Sequence, residues 1–162
     1  MWIIKWTVIV IVVLALAAVA AGQLGLLQGQ APTDLGVRDG RMKPPSNTPN
    51  SVSSQASLYP THPQRTYAEI APLALQGTGV ETVARLRSLI ESTPGARVVK
   101  ADDGYLYAQF TSRWMKYVDD LELWFDASAG VVQVRSASRL GQSDLGANRA
   151  RIEALRRQLA TR

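Results

Sequence analysis

The chain has 162 residues, 46% of them hydrophobic, no cysteine and a formal net charge of +5. This length allows one ordinary domain plus a leader. The lack of cysteine excludes a disulfide framework, a thiolate metal site and a lipid-modified cysteine. The positive charge is small and accompanies no nucleic-acid-binding motif, so nucleic acid is not an expected partner.

The first predicted element is the charge-free run WTVIVIVVLALAAVAAGQLGLL, residues 6–27. As a helix rising about 1.5 Å per residue it reaches about 33 Å, enough to cross a hydrocarbon core of about 30 Å. Trp2 and Trp6 stand where interfacial aromatics belong. Residues 1–28 therefore read as a transmembrane anchor. The alternative is a cleaved signal peptide, with Lys5 as its basic start, residues 8–16 as its apolar stretch, and Ala18, Val19 and Ala20 as a small-residue cleavage site. Continuation of the apolar run through Leu24, Leu26 and Leu27 favours retention. A short basic start before a long apolar run favours export, which predicts a single-pass protein of the cell membrane with its C-terminal domain periplasmic. Arg38, Arg41 and Lys43, just past the run, count in the opposite direction.

Residues 29–66 are rich in Pro, Ser, Asn and Gly and lack apolar periodicity, the composition of a tether or an irregular surface segment. Pro44, Pro45 and Pro49 remove backbone donors, and no regular element is expected there. The folded domain is predicted over 67–162. GVETVARLRSLIEST, residues 79–93, sets Val80, Val83, Ala84, Leu86 and Ile90 on one stripe at helical spacing and stops at Pro94 and Gly95. ARVVKA, YLYAQFTS, LELWFD and VVQVRSAS follow as four short β-rich runs separated by turn residues. From Leu145 onward, Ile152, Leu155 and Leu159 recur at helical spacing. The predicted fold is thus α+β, order αββββα, with an antiparallel four-stranded sheet covered by helices.

Alternation along the strands separates two faces. Leu106, Ala108, Phe110, Leu121, Leu123, Phe125, Val132 and Val134 form the core face. Tyr105, Tyr107, Gln109, Asp120, Glu122, Trp124, Gln133, Arg135 and Ala137 form the other, expected as a solvated face with cross-strand charge pairs.

Candidate chemistry concentrates near the last strand and the helix after it. Asp120 and Glu122 lie about 6.6 Å apart along one strand, inside the range of two-carboxylate glycosidases, although Arg135, Arg149 or Arg151 as partners would leave neither poised as an acid. Residues 136–149 form a strand, loop and helix start where free N–H groups, with Arg139, Asn148 and Arg149, offer donors to an anion. Asp144 as N-cap would occupy the same donors. Asp119, Asp120, Glu122, Arg135, Ser136, Ser138, Arg139, Asp144, Asn148, Arg149 and Arg151 therefore form either an anion- or partner-binding site or a structural charge network. The network is favoured, because arginines early in a helix oppose its dipole and need acidic partners. His62 is the only histidine, and no metal or other cofactor is expected.

Three separated blocks, PNSVSSQ (49–55), DDLE (119–122) and RSASRLGQSDLGANRARIEALR (135–156), resemble the uncharacterised bacterial and plant family catalogued as domain of unknown function 1499. The resemblance runs from about Arg41 to the C-terminus. It adds Asn50, Ser53, Ser54 and Gln55 as a secondary candidate segment and implies no activity. The family pattern usually carries a cysteine where this chain has Ser51, so thiol chemistry is closed to this chain. The expected function is a membrane-anchored binding or structural module of the cell envelope, with anionic lipid headgroups or an envelope protein as partner. The competing expectation is a hydrolase of envelope glycan or lipid using Asp120 and Glu122.

Overall fold

The computed structural model describes residues 2–102 and 104–161. Helix α1 (Trp2–Gln23) is exposed along nearly its whole length, and is long and apolar enough to cross a membrane. A helix that is apolar all round, with almost nothing packed on it, is suited to an apolar solvent.

The rest is an antiparallel sheet with two helices on one face. Strands β3 (Ala96–Asp102), β4 (Tyr105–Thr111), β5 (Val118–Asp126) and β6 (Val131–Ser138) form the predicted meander. Two strands were not predicted. β1 (Ser51–Ser53) and β2 (Leu73–Ala74) both pair antiparallel with the outer edge of β6, opposite residues 135–137 and 131–132 respectively. They make the sheet six-stranded and cover an edge that would otherwise present unpaired backbone groups. Runs of three and two residues carry no readable alternation, which is why the sequence suggested four strands. A 3-10 turn (Ala56–Leu58) and the short helix α2 (Arg65–Ala68) connect β1 to β2.

Helix α3 (Gly79–Glu91) begins with a capping box: the Thr78 hydroxyl accepts from the Glu81 N–H while the Glu81 carboxylate accepts from the Thr78 N–H. Its buried stripe includes Val83, Leu86 and Ile90, but Thr82 takes the place expected for Val80, which is 55% exposed. Gly79 is required by close approach, since a Cβ there would lie 2.3 Å from the Phe125 ring. Gly95, at φ +81°, turns the chain into β3, where a Cβ would meet the Thr111 carbonyl at 2.6 Å. Helix α4 (Ala147–Ala160) starts two residues later than predicted, because Gly146 at φ +83° sits before it. Its Ile152, Leu155 and Leu159 join Leu86, Ile90, Leu106, Leu121, Leu123, Val132 and Val134 in one core between helices and sheet.

Residues 29–66 are not a free tether. Met42 is 1% exposed, and Val52 and Ala56 are fully buried. Tyr59 donates its hydroxyl hydrogen to the Met42 carbonyl, and the Asp34 carboxylate accepts from Lys43 at 2.7 Å. Residues 30–47 form a strap laid across the sheet face opposite the helices.

Candidate functional site

Strand alternation sends Asp120 and Glu122 away from the helices, and the β5–β6 register sets Arg135 opposite Glu122 and Ala137 opposite Asp120. This face was expected to be solvated. Under the strap, however, Asp120 is 2%, Glu122 0% and Arg135 4% exposed. Burial changes the energetics, because a charge out of water needs partners.

Asp120 is fully engaged. Arg139 grips it in a two-pronged bond, Nε to Oδ2 and Nη2 to Oδ1, both 2.8 Å. The Tyr107 hydroxyl donates to Oδ1 at 2.6 Å. The hydrogen bond to Asp120 raises the Arg139 pKa, and burial raises that of Tyr107. Glu122 accepts from the Gly36 N–H of the strap at 2.7 Å and from the Tyr105 hydroxyl at 2.8 Å, both at Oε1. Its Oε2 accepts no hydrogen bond, and the nearest Arg135 nitrogen, Nη1, stands 3.6 Å away.

Arg135 is the exception among the site arginines. Among the described residues its guanidinium makes one hydrogen bond, from Nε to the Pro44 carbonyl of the strap at 3.3 Å. Burial pulls its guanidinium pKa below the usual arginine value, against the opposing pull of Glu122 and Asp120. It lines a cavity of about 840 Å³ between strap and sheet, whose walls include Asp34, Lys43, His62, Asp120 and Arg139. Lys43 and Arg139 are paired with Asp34 and Asp120, which leaves Arg135 as the wall cation with most of its donors free.

The expected single network is in fact two clusters on opposite faces of the sheet. Asp119 faces α4 and pairs with Arg151 Nη2 at 2.6 Å. Arg151 Nη1 donates to Ser136 Oγ at 2.9 Å and Asn148 Oδ1 at 2.6 Å, and the guanidinium stacks 4.5 Å over the Phe110 ring. Asn148, wholly buried, is the hub. Its Oδ1 also accepts from Ser136 Oγ at 2.6 Å, while its Nδ2 donates to the Asn50 carbonyl and to Ser138 Oγ, both at 3.0 Å. Strand period explains the split: residues 119 and 120 point to opposite faces.

Asp144 acts at the start of α4 from two residues before the cap. Its carboxylate accepts from the N–H groups of Asn148 and Gly146 and from the Tyr67 hydroxyl. Burial alone would raise its pKa, but these bonds outweigh burial and leave it below the usual value. Asp144 thus occupies donors at the helix start that the sequence offered to an anion. Among the described residues Arg149 meets no acidic group; it donates to the Tyr67 and Glu69 carbonyls at 2.6 and 3.0 Å. Arg156 ties α4 to the Ala71 and Pro72 carbonyls at 2.8 and 2.6 Å.

The secondary segment makes hydrogen bonds within the fold. Asn50 Nδ2 donates to the Gly141 carbonyl at 2.9 Å, although its Oδ1 is buried without a hydrogen-bond partner. Gln55 holds the strap, accepting from the Met42 N–H and donating to the Gly40 carbonyl. Ser54 Oγ donates to Gln133 and accepts from the Val134 N–H, while Ser53 Oγ accepts from the Gln55 N–H. Ser51, 1% exposed, accepts from the Ser46 N–H at 2.8 Å. Tyr105, Tyr107 and the strap donor Gly36 were missed as site residues. The two tyrosines were legible in principle, since alternation puts them on the sheet face that carries Asp120 and Glu122.

Among the described residues no group of three His, Cys, Asp or Glu side chains is placed to hold a metal ion. A family model described as Protein of unknown function (DUF1499) matches residues 41–159. No curated protein and no solved structure matches the chain.

Proposed function

The chain belongs to the DUF1499 family, and on that premise we propose that it is a membrane-anchored, non-enzymatic module of the cell envelope that binds an anionic group in the cavity between strap and sheet. The carrying observation is Arg135: a buried guanidinium on the cavity wall with one hydrogen bond made. A buried cation short of partners is costly, and a phosphate or carboxylate seated against its free fork would supply them. Asp120 is spent on Arg139 and Asp34 on Lys43, while the charge nearest Arg135 is Glu122, 3.6 Å away and without a hydrogen bond to it. The hydrolase reading has less support, because Asp120 is held in a bidentate arginine pair and Glu122 is walled in by Gly36 and Tyr105.

The test is calorimetric titration of the full chain in detergent with inorganic phosphate, against chloride at equal ionic strength. Phosphate at a hundredfold over its Kd should add about 2.7 kcal/mol to unfolding stability. The double variant Arg135→Gln/Glu122→Gln, which leaves neither charge buried alone, should lose this response. A response equal to that of chloride would refute the anion site. Ester turnover abolished by Asp120→Asn would replace it with the hydrolase.

The domain is placed on the extracytoplasmic side in this reading, on the short basic start before α1. A C-terminal alkaline phosphatase fusion should be active and a fluorescent-protein fusion dark. The reverse pattern would put the domain in the cytoplasm.

A further inference from the structure

Helix α1 carries Trp2 and Trp6 at its N-terminal end, edge to face at 6.2 Å, but no aromatic at its C-terminal end. A spanning helix is commonly flanked by aromatic belts at both interfaces. From Trp6 to Gln23 the helix rises about 26 Å, close to the thickness of a hydrocarbon core. At the level of Gln23 lies the β4–β5 loop, residues 112–117, with the sequence SRWMKY.

Gln23 Nε2 donates to the Trp114 carbonyl at 2.9 Å, and Gly22 packs so closely on Met115 that a Cβ would fall 2.4 Å from its carbonyl oxygen. The loop is closed by its own bonds: the Ser112 N–H donates to the Tyr117 carbonyl at 2.9 Å, and the Tyr117 N–H to Ser112 Oγ at 3.0 Å. Its two large side chains nevertheless face outward, Trp114 62% and Tyr117 41% exposed. Arg113 lies over the Trp114 ring at 5.0 Å, and Lys116 adds a second cation. Leu24 and Leu26, immediately after the helix, are exposed as well, and Leu140 lies beside Gly29 at the same end. Exposed aromatic and aliphatic groups interleaved with cations, gathered around the exit of an apolar helix, match the chemistry of an anionic lipid interface.

We infer that the 112–117 loop is a second membrane contact: Trp114 and Tyr117 insert at the headgroup level of an anionic bilayer, with Arg113 and Lys116 on lipid phosphates, holding the domain against the membrane. This rests on the reading of α1 as a retained spanning helix, and it is independent of the Arg135 cavity.

The chain has no cysteine, so single spin labels can be placed by Trp114→Cys, Tyr117→Cys, Ile11→Cys and Val80→Cys in the full chain. After reconstitution into phosphatidylcholine and phosphatidylglycerol vesicles, collision with oxygen and with a water-soluble nickel chelate reports depth. Labels at 114 and 117 should meet nickel severalfold less often than the label at 80, which lies on the exposed side of α3. Adding Arg113→Glu and Lys116→Glu to the Tyr117→Cys chain should return that label to water. If 114 and 117 match 80 while the label at 11 remains in lipid, the loop contact is refuted and the anchor stands. If the label at 11 is also in water, the spanning helix falls, and the loop contact with it.

Discussion

Asn148→Ala should lower the stability of the domain by roughly 3–5 kcal/mol, a large part of the 5–15 kcal/mol typical of a folded domain. The amide has 0% exposure and joins four groups from β6, α4 and the residue before β1. Truncation removes four hydrogen bonds at once, one of them from a charged guanidinium, and leaves polar atoms where water cannot easily follow. Urea unfolding followed by tryptophan fluorescence should show the midpoint falling by about 1–2 M. The matching control is Arg87→Ala, which breaks an exposed ion pair with Glu91 whose side chains are 52% and 46% accessible. That loss should stay near 0.5 kcal/mol. Equal shifts in the two variants would mean that the hub contributes no more than a surface pair.

Arg139→Ala should cost a comparable 3–5 kcal/mol, because it strands the Asp120 carboxylate under the strap. The side chains are only 8% and 3% accessible, so the carboxylate loses both bonds of the fork in a largely shielded place. The reciprocal variant separates the cost of an orphaned charge from the worth of the pair. Replacing both partners, Arg139→Met with Asp120→Leu, should recover most of the loss, since the desolvation penalty disappears along with the attraction. If the double variant is as unstable as the single one, the pair itself, and not only the cost of an orphaned charge, stabilises the domain. If neither differs from the parent, the face is solvated as its alternation first suggested.

The three sequence blocks of the family resemblance acquire one explanation from these contacts. PNSVSSQ supplies β1 and the Asn50 and Gln55 ties, DDLE supplies carboxylates to both faces of β5, and the long C-terminal block supplies β6, Arg139 and the Asn148 hub. They meet at one end of the sheet, where β1, β6 and β5 lie side by side. Their side chains there are joined by hydrogen bonds and ion pairs within the fold, with Arg135 the residue left over.

How much was legible depended on whether a signal was local. The meander was, because inward Leu106, Leu121, Leu123, Val132 and Val134 alternate with polar neighbours and two of the three connections between its strands carry Gly. The α4 stripe of Ile152, Leu155 and Leu159 was legible for the same reason at the helical period. A capping box was also available in Thr78 and Glu81 and marks the start of α3. Asp119 and Asp120, adjacent in sequence, were read as one site although the pleat sends them to opposite faces.

The sequence by itself thus determined an apolar helix able to span a membrane, the four-strand meander and the two helices on its core face. All of these follow from short-range periodicity and from burying one apolar face. The tertiary structure alone decided that residues 30–47 roof the polar face, and with it the burial of Asp120, Glu122 and Arg135 and the cavity beside them. The strap attaches largely through backbone groups, the Gly36 N–H, the Pro44 carbonyl and the Met42 N–H. Every residue type offers such groups, and they leave no pattern in a sequence.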